Sequence, residues 1–252
     1  MSDMPPITLD EMGKIRLMKR TDTKFLTNKA GLLRVLQLAK NDYYAQEIDG
    51  KRIAHYRTTY WDFDKHGFYV MHQNGHKPRM KVRVRTYEDS DGLTFLEIKR
   101  KDNHGKTKKK RTQVKSQTEI VESGGDKYLI QQTGIALDEL HPCLQNYFKR
   151  ITLVNKAMTE RLTIDFDVEY TNFETQTKTD SDNLVIIELK RDGMVYSPIR
   201  QILVDLHIHP SGYSKYVIGS CMTNPSLKRN RLKERLVYIN KINHRTEQFT
   251  EN

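Results

Sequence analysis

Hydrophobic and polar residues alternate along several stretches of the chain, a pattern typical of β-strands that bury one face. Residues 80–87 alternate strictly, and one of their faces is basic. That face carries Lys81, Arg83 and Arg85. Residues 93–100 and 106–114 follow with charged faces of their own, separated by a turn that contains Gly105. The pattern predicts a meander of three consecutive antiparallel strands.

Similar patterns predict further strands over residues 19–26, 43–48, 53–63, 144–155, 158–170 and 183–190. Within 158–170 we expect an apolar face of Leu162, Ile164, Phe166 and Val168. The opposite face would carry Arg161, Thr163, Asp165, Asp167 and Glu169. Alternation of this kind places the two sets of side chains on opposite sides of one sheet.

Apolar residues at helical spacing predict a helix over residues 29–40, with Thr27-Asn28 as its cap and a stripe of Leu32, Leu33, Leu36 and Ala39. Further helices are predicted over residues 64–74, 126–133, 198–206 and 227–242. The resulting fold class is α+β, with about eight antiparallel strands and helices packed outside. We expect a polar leader over residues 1–18, a main domain over residues 19–225, and a basic helix over residues 226–252 that packs on or beside that domain.

The net charge of the chain indicates the charge of its binding partner. The 252 residues include 43 Lys and Arg against 32 Asp and Glu, a formal net charge of +11. A polyanion is therefore expected, and nucleic acid, an acidic membrane face, polyphosphate and nucleoside triphosphates all fit. No apolar run of about 18 residues and no signal-peptide pattern occurs, so we expect a cytoplasmic protein without a transmembrane segment. Cys143 and Cys221 form neither a disulfide framework nor a zinc motif.

The charged strand faces would form a binding site if the sheet closed into a barrel. Alternate residues of every strand would then point into one interior, which would be lined with cations. Like charges in an enclosed space repel and lose solvation, so such an interior requires water or an anion. A linear phosphate chain fits, because Arg binds phosphate oxygens bidentately, Lys acts as a point charge, and a carboxylate can hold a bridging divalent ion. We therefore predict a phosphate tunnel with a metal at one carboxylate.

Seven segments resemble, in order, the successive strand motifs of the VTC polyphosphate polymerase domain, the catalytic domain of the vacuolar transporter chaperone complex. They are RTDTKF at 20–25, YRTTYWD at 56–62, KVRVRTY at 81–87, FLEIKR at 95–100, GKTKKKR at 105–111, ELK at 188–190 and YSKY at 213–216. The resemblance, which includes stand-alone prokaryotic relatives, implies a triphosphate tunnel metalloenzyme. Its fold would be an eight-stranded antiparallel tunnel.

The resemblance implies a polymerase that transfers the γ-phosphoryl group of ATP to a growing polyphosphate chain, with Mn²⁺ or Mg²⁺ as cofactor. ATP and inorganic polyphosphate would be its partners; nucleic acid is disfavoured, and a membrane partner protein stays compatible with the sequence. The same tunnel could hydrolyse nucleoside triphosphate or polyphosphate if water replaced the acceptor. Composition alone also permits a non-catalytic polyanion-binding module.

Carried over by position, the resemblance implies catalytic roles for Arg83, Arg85, Lys99, Arg161 and Lys215. It implies phosphate contacts from Lys24, Arg57, Lys109, Lys190 and Ser214, to which the strand faces add Lys81 and Arg111. Glu188 would hold the metal, with Glu97 and Asp165 as further candidate ligands.

Two positions depart from the expected motifs. The superfamily begins with a Glu-x-Glu-x-Lys strand, whereas this chain has Arg20, Asp22 and Lys24, which shifts metal binding toward Glu188. Gly212 stands where the fungal motif is expected to have a Lys.

Overall fold

The computed structural model describes residues 1, 3–13, 15, 20–193 and 195–245, which form eleven strands and seven α-helices. The strands are β1 (Pro6–Ile7), β2 (Arg20–Asn28), β3 (Tyr43–Gln46), β4 (Ala54–Asp62), β5 (Arg79–Tyr87), β6 (Leu93–Lys101), β7 (Thr107–Val114), β8 (His141–Asn155), β9 (Glu160–Asn172), β10 (Lys178–Asp180) and β11 (Leu184–Asp192). The helices are α1 (Leu9–Gly13), α2 (Lys29–Ala39), α3 (Gly67–Gln73), α4 (Gly125–Thr133), α5 (Pro198–Asp205), α6 (Lys215–Thr223) and α7 (Lys233–Asn243). Short 3₁₀ turns lie at Leu137–Glu139 and Asn230–Leu232.

Eight antiparallel strands form the main sheet in the order β2-β11-β9-β8-β4-β5-β6-β7, which confirms the predicted α+β fold class. The sheet curls until β2, β5, β6 and β11 line one cavity. Its hydrogen-bonded path stays open, since no backbone pairing joins β7 to β2 in the described part of the chain. Instead, Pro210 bridges to Phe25, and the Ser211 amide donates to the Lys24 carbonyl along the edge of β2.

Helices cover the outer faces of the sheet. Helix α2 packs on α5 and on β2, and the Asn28 side chain caps it by accepting from the Gly31 amide, as predicted. One predicted stripe position of α2 is wrong: Leu33 is exposed, and Val35 is fully buried in its place. Residues 32, 35 and 39 share one helical face, and the core lies against that face.

Helix α6 corrects the prediction of a strand motif at residues 213–216. Ser214 is the N-cap of this helix and accepts from the Val217 amide at 3.3 Å. Nearly every residue from Tyr216 to Cys221 is buried, so the helix shows no polar face that its sequence could reveal. A Cβ on Gly219 would lie 2.3 Å from the Tyr170 ring, which is why this position requires glycine.

A β-bulge interrupts the alternation predicted for residues 158–170. The register between β8 and β9 shifts between Tyr147 and Lys149, and Asp167 adopts a positive φ of 48°. Asp167 therefore binds Lys29 and Lys149 on the outer surface, while Val168 joins a different core cluster from Leu162 and Ile164. The prediction that Val168 shares a face with those residues is wrong, because a bulge reverses the side-chain parity beyond it.

Both ends of the described chain contact the sheet. Strand β1 pairs in parallel with β3, and α7 packs against β2 and β11. Lys19 of the first predicted strand and residues 246–252 of the predicted C-terminal segment lie outside the described residues. None of the described helices has the length and apolar character needed to cross a membrane.

Candidate phosphate-binding site

A cavity of about 600 Å³ opens between the two ends of the curled sheet. The lysines that line it include Lys24 of β2, Lys81 of β5 and Lys99 of β6. We call these three the inner group. The Lys24 ammonium donates to the Tyr213 carbonyl at 2.7 Å, and the Lys81 ammonium donates to the Ser214 hydroxyl at 2.8 Å. The loop before α6 thus fixes two of the three cations at the cavity wall.

Charge accumulates in the inner group without full compensation. Desolvation, together with Lys24 and Lys99, holds the pKa of Lys81 well below its usual range. Desolvation in the cavity and the nearby charges of Lys24 and Arg83 lower the pKa of Lys99 to about 8. In both cases the neighbouring cations disfavour the charged form, so an anion in the cavity would favour it.

A second layer lies deeper, where Arg83 of β5 meets Glu97 of β6 and Lys109 of β7. Glu97 is fully buried; one carboxylate oxygen accepts from Arg83 at 2.6 Å and the other from Lys109 at 2.8 Å. Burial alone would raise the pKa of Glu97, but Arg83, Arg85 and Lys109 hold it well below its usual value. Glu97 therefore acts as the counterion of this layer.

A third layer is built around Asp165 of β9. Its two carboxylate oxygens accept from Arg150 of β8 at 2.6 and 2.8 Å, and Lys215 at the start of α6 also binds it. Arg85 lies near this layer, because its guanidinium contacts the same two aromatic rings as that of Arg150. The Arg85 Nε donates to the Thr58 hydroxyl at 3.1 Å. Among the described residues no carboxylate lies within ion-pair distance of Arg85, although its side chain is only 8% exposed. A buried guanidinium without a carboxylate partner is costly unless an anion binds it.

Two aromatic rings support these buried cations. The Arg85 guanidinium carbon lies 5.6 Å from the centroid of the Tyr56 ring and 5.7 Å from that of Phe148. Arg150 contacts the same two rings, and the Lys215 ammonium lies 4.0 Å from the Phe148 centroid. Ring faces attract cations, so these contacts hold the charges in place without neutralising them.

Glu188 is the predicted metal ligand that remains open to the cavity. Both oxygens of Glu97 and of Asp165 are bound by basic side chains, whereas Glu188 is half-buried, lines the cavity and has Lys190 at 3.4 Å. Burial would raise the pKa of Glu188, but Lys190, Lys24 and Lys99 lower it to about 2, so it is a carboxylate at neutral pH.

A metal ion would find few protein ligands here. Asp22 lines the same cavity as Glu188, and no group of three or more His, Cys, Asp or Glu able to hold a metal occurs among the described residues. This donor set fits Mg²⁺ or Mn²⁺ held by one or two carboxylates, with phosphate oxygens and water completing the coordination.

The structure moves one predicted contact, Arg57, away from the interior. The Arg57 Nε donates to the Glu88 carboxylate at 2.7 Å. Because the adjacent residues Tyr56 and Thr58 face inward, the Arg57 side chain lies on the outer face of β4. The expectation that Arg57 joins the other cations is therefore wrong.

Arg111, Arg161 and Lys190 occupy positions next to the central layers. Arg111 is opposite Glu97 in register, but its side chain is exposed and lies 4.4 Å from the Phe95 centroid. On β9, Arg161 lies opposite Lys190 of β11 and is two residues from Thr163, which lies opposite Glu188. These three residues lie at the margin of the site.

Several residues that shape the site were not predicted. Arg150 lies on β8, where its spacing of two from Phe148 was a usable signal that both side chains face inward. His72 of α3 and Arg235 of α7 line the cavity from helices, which strand periodicity cannot reveal. Burial and the nearby cations Lys81 and Arg79 lower the pKa of His72 to about 2, so the imidazole is neutral.

Fold and site together define a curled antiparallel sheet with a cation-lined cavity. The model of the VTC domain matches residues 19–224, and the chain belongs to this family. A search of the curated proteins found none that matches this chain.

Two solved structures share the fold of this chain at low sequence identity. A candidate adenylate cyclase from Bacillus halodurans aligns with a TM-score of 0.50 and 13% identity, over 78% of this chain and 96% of that chain. A candidate adenylyl cyclase from Hippeastrum, described as having a dominant triphosphatase activity, aligns with a TM-score of 0.52 and 13% identity, over 82% and 97% of the two chains. At such identity these likenesses concern the fold.

Proposed function

We propose that this protein is a metal-dependent polyphosphate polymerase that transfers the γ-phosphoryl group of ATP to the end of a growing inorganic polyphosphate chain. The observation that carries the proposal is the excess of cations over carboxylates in the cavity and its deeper layers. Lys24, Lys81, Lys99 and Arg85 converge there, and Glu188 is the half-buried acid beside them. A linear phosphate chain supplies repeated negative charge along one line, which matches cations contributed by successive strands.

The reaction requires positioning and charge neutralisation more than a protein nucleophile. A terminal phosphate oxygen of the acceptor chain would attack the γ-phosphorus, the bond from that phosphorus to the oxygen it shares with the β-phosphate would break, and ADP would leave. Arg85 and the inner group would hold the phosphate oxygens and stabilise the charge spread over the transferred group. Arg85, Lys24 and Lys81 are held before substrate arrives, by Thr58, Tyr213 and Ser214 respectively.

A divalent ion, Mn²⁺ or Mg²⁺, would be held by Glu188 with Asp22 close by, and would neutralise charge on the phosphate oxygens. Glu97 and Asp165 would act instead as counterions that keep Arg83, Arg150 and Lys215 oriented. Lys190 would tune the charge of Glu188 from 3.4 Å. We place the reaction in the cytoplasm, with ATP and polyphosphate as partners; a separate membrane protein is compatible with the proposal.

Hydrolysis is the second candidate function, favoured by the dominant triphosphatase activity described for the Hippeastrum protein. The same groups would hold the triphosphate, and water would take the place of the acceptor oxygen. The two reactions differ only in what attacks the phosphorus, so their products separate them.

The experiment is incubation of the purified protein with ATP and Mn²⁺, followed by phosphorus NMR and gel analysis of the products. ADP together with long phosphate chains is the expected result. ADP with free phosphate would assign hydrolysis instead, and polyphosphate binding without any metal-dependent turnover would identify a non-catalytic binding module and overturn the proposal.

Matched variants link the activity to the cavity. Lys99→Ala removes a cation from the cavity and should reduce turnover at least tenfold. Lys108→Ala removes the same charge from the exposed outer face of β7 and should leave turnover unchanged. Glu188→Gln should abolish the dependence on Mn²⁺, which can be read from activity across a metal titration.

A further inference from the structure

A guanidinium lies flat against a glycine at the mouth of the cavity. Gly212, in the loop before α6, and Arg235, on α7, both line this opening. The Arg235 atoms Nη2, Cζ and Nη1 lie 3.3, 3.5 and 3.5 Å from the point that a Cβ on Gly212 would occupy. Any side chain at position 212 would compete with the guanidinium for this space. The glycine therefore lets a cation from a distant helix reach the cavity wall.

Helix α7 is fixed firmly enough to position that cation. Ile239 and Ile242 are buried in the core, and the Asn28 side chain donates to the Ile242 and Arg245 carbonyls at 3.4 and 3.2 Å. Ahead of the helix, Arg231 donates to the Asn74 carbonyl at the end of α3. These contacts bind α7 at both ends, so Arg235 lies on an anchored element.

Two further cations share this opening. Arg79 of β5 and Lys101 of β6 line the cavity two residues beyond Lys81 and Lys99 of the inner group. Desolvation lowers the pKa of Arg79, and desolvation with the nearby Arg79 charge lowers that of Lys101. No carboxylate forms an ion pair with Arg79, Lys101 or Arg235 within the described ranges. We call these three residues the outer group.

His72 is a neutral residue among these cations. It lines the same cavity as both groups, and its pKa is lowered to about 2 by burial and then by Lys81, Arg79, Lys24 and Arg235. Its Nδ1 is buried and has no hydrogen-bond partner in the part of the chain that the structure describes. A neutral imidazole offers a hydrogen-bonding group to a ligand without adding to the repulsion among the cations.

We infer that the outer group forms a second phosphate-binding subsite, in which Arg235 and its neighbours hold the part of a linear phosphate chain that extends out of the inner group. The inference rests on the proposed binding of phosphate chains but requires no particular reaction. The planar Arg235 guanidinium can bind two phosphate oxygens at once, and Arg79 and Lys101 add charge from β5 and β6. Long chains would reach both groups, whereas tripolyphosphate would be held by the inner group.

The test compares the binding of tripolyphosphate and of long-chain polyphosphate by calorimetry over a series of salt concentrations. Arg235→Ala should weaken long-chain binding about five- to tenfold and leave tripolyphosphate binding within about twofold, which also shows that the variant is folded. The slope of log affinity against log salt for the long chain should fall by about one. Lys241→Ala removes an equal charge from an exposed position of the same helix and should change neither affinity.

A double variant separates the cation from the packing of α7. Gly212→Lys combined with Arg235→Ala places an ammonium in the vacated space and should recover most of the long-chain affinity. Equal losses in Arg235→Ala and Lys241→Ala, or unchanged long-chain binding in Arg235→Ala, would overturn the outer subsite. If Lys99→Ala leaves tripolyphosphate binding unchanged, the inner site itself fails, and with it the proposed function; the two failures are therefore distinguishable.

Discussion

Replacing Lys99 by Met should make the free protein more stable while weakening its ligand binding. The Lys99 pKa falls from the ordinary 10.5 to about 8, which at about 1.4 kcal/mol per pH unit corresponds to about 3 kcal/mol for a fully shielded group. Because the side chain is exposed to solvent through the cavity, screening reduces this to about 1 kcal/mol. For a chain of this length, the melting temperature should rise by about 2 to 4 °C.

The pH dependence of this gain follows from the direction of the shift. Below pH 8 the lysine is charged in both the folded and the unfolded protein, so the full cost is present and Lys99→Met removes it. Between about 8 and 10.5 the unfolded chain binds the extra proton, so the wild-type protein recovers stability as the pH rises. The advantage of the variant should therefore shrink through this range and vanish above it.

Thermal unfolding of both proteins at pH 7 and pH 10, with and without tripolyphosphate, measures the effect. Ligand at about a hundred times its dissociation constant stabilises the wild-type protein by about 2.7 kcal/mol, so its melting temperature should then exceed that of the variant. Lys108→Met, on the outer face, should match wild type in every condition. A lower melting temperature for ligand-free Lys99→Met at pH 7 would refute the reasoning, because it would show that the cation is already compensated in the free protein.

Four further substitutions test other parts of the site. Glu97→Gln leaves its two basic partners without a buried counterion and should cost about 3 kcal/mol, seen as a loss of about 6 to 12 °C in melting temperature; an unchanged value would show that Glu97 is not structural. Gly219→Ala forces a Cβ against the buried Tyr170 ring and should destabilise the protein by about 2 to 3 kcal/mol in urea unfolding, whereas wild-type stability would mean that α6 can move. Arg57→Ala should keep polyphosphate affinity within about twofold and Arg85→Ala should lose about tenfold; the reverse order would contradict the assignment of inner and outer faces.

The basic inner faces of β5, β6 and β7 could be predicted from the sequence because these strands follow one another with regular register. Lys81, Arg83 and Arg85 share a face, and the residues opposite them on β6 include Lys99 and Glu97. Strict alternation of charged and apolar residues leaves only one way to orient such a strand against a core.

In strand β4 the alternation of residue types does not predict which side chains face inward. Tyr56, Thr58 and Tyr60 face inward and Arg57 faces out, yet aromatic and polar residues occur on both faces of the strand. Because the two faces do not differ clearly in composition, the sequence offered no basis for orienting the strand, and Arg57 was assigned to the inner face. The bulge at Asp167 could not be predicted for a different reason: one extra residue reverses which side chains face inward beyond it, without changing the composition of the strand.

Helical contributions to the site depend on tertiary packing. Arg235 reaches the cavity because α7 packs against β2 and β11 and because Gly212 leaves room for its guanidinium. His72 lies on a short helix whose sequence carries no sign of the surrounding cations. Contacts between residues so distant in sequence leave no trace in the local pattern.

The most direct measurement is a crystal structure of the protein with a non-hydrolysable ATP analogue and Mn²⁺. The account predicts the triphosphate in the cavity between Lys24, Lys81 and Lys99, with the metal ion on Glu188. An analogue bound to the outer surface of the sheet, with the cavity lysines making no phosphate contact, would contradict it.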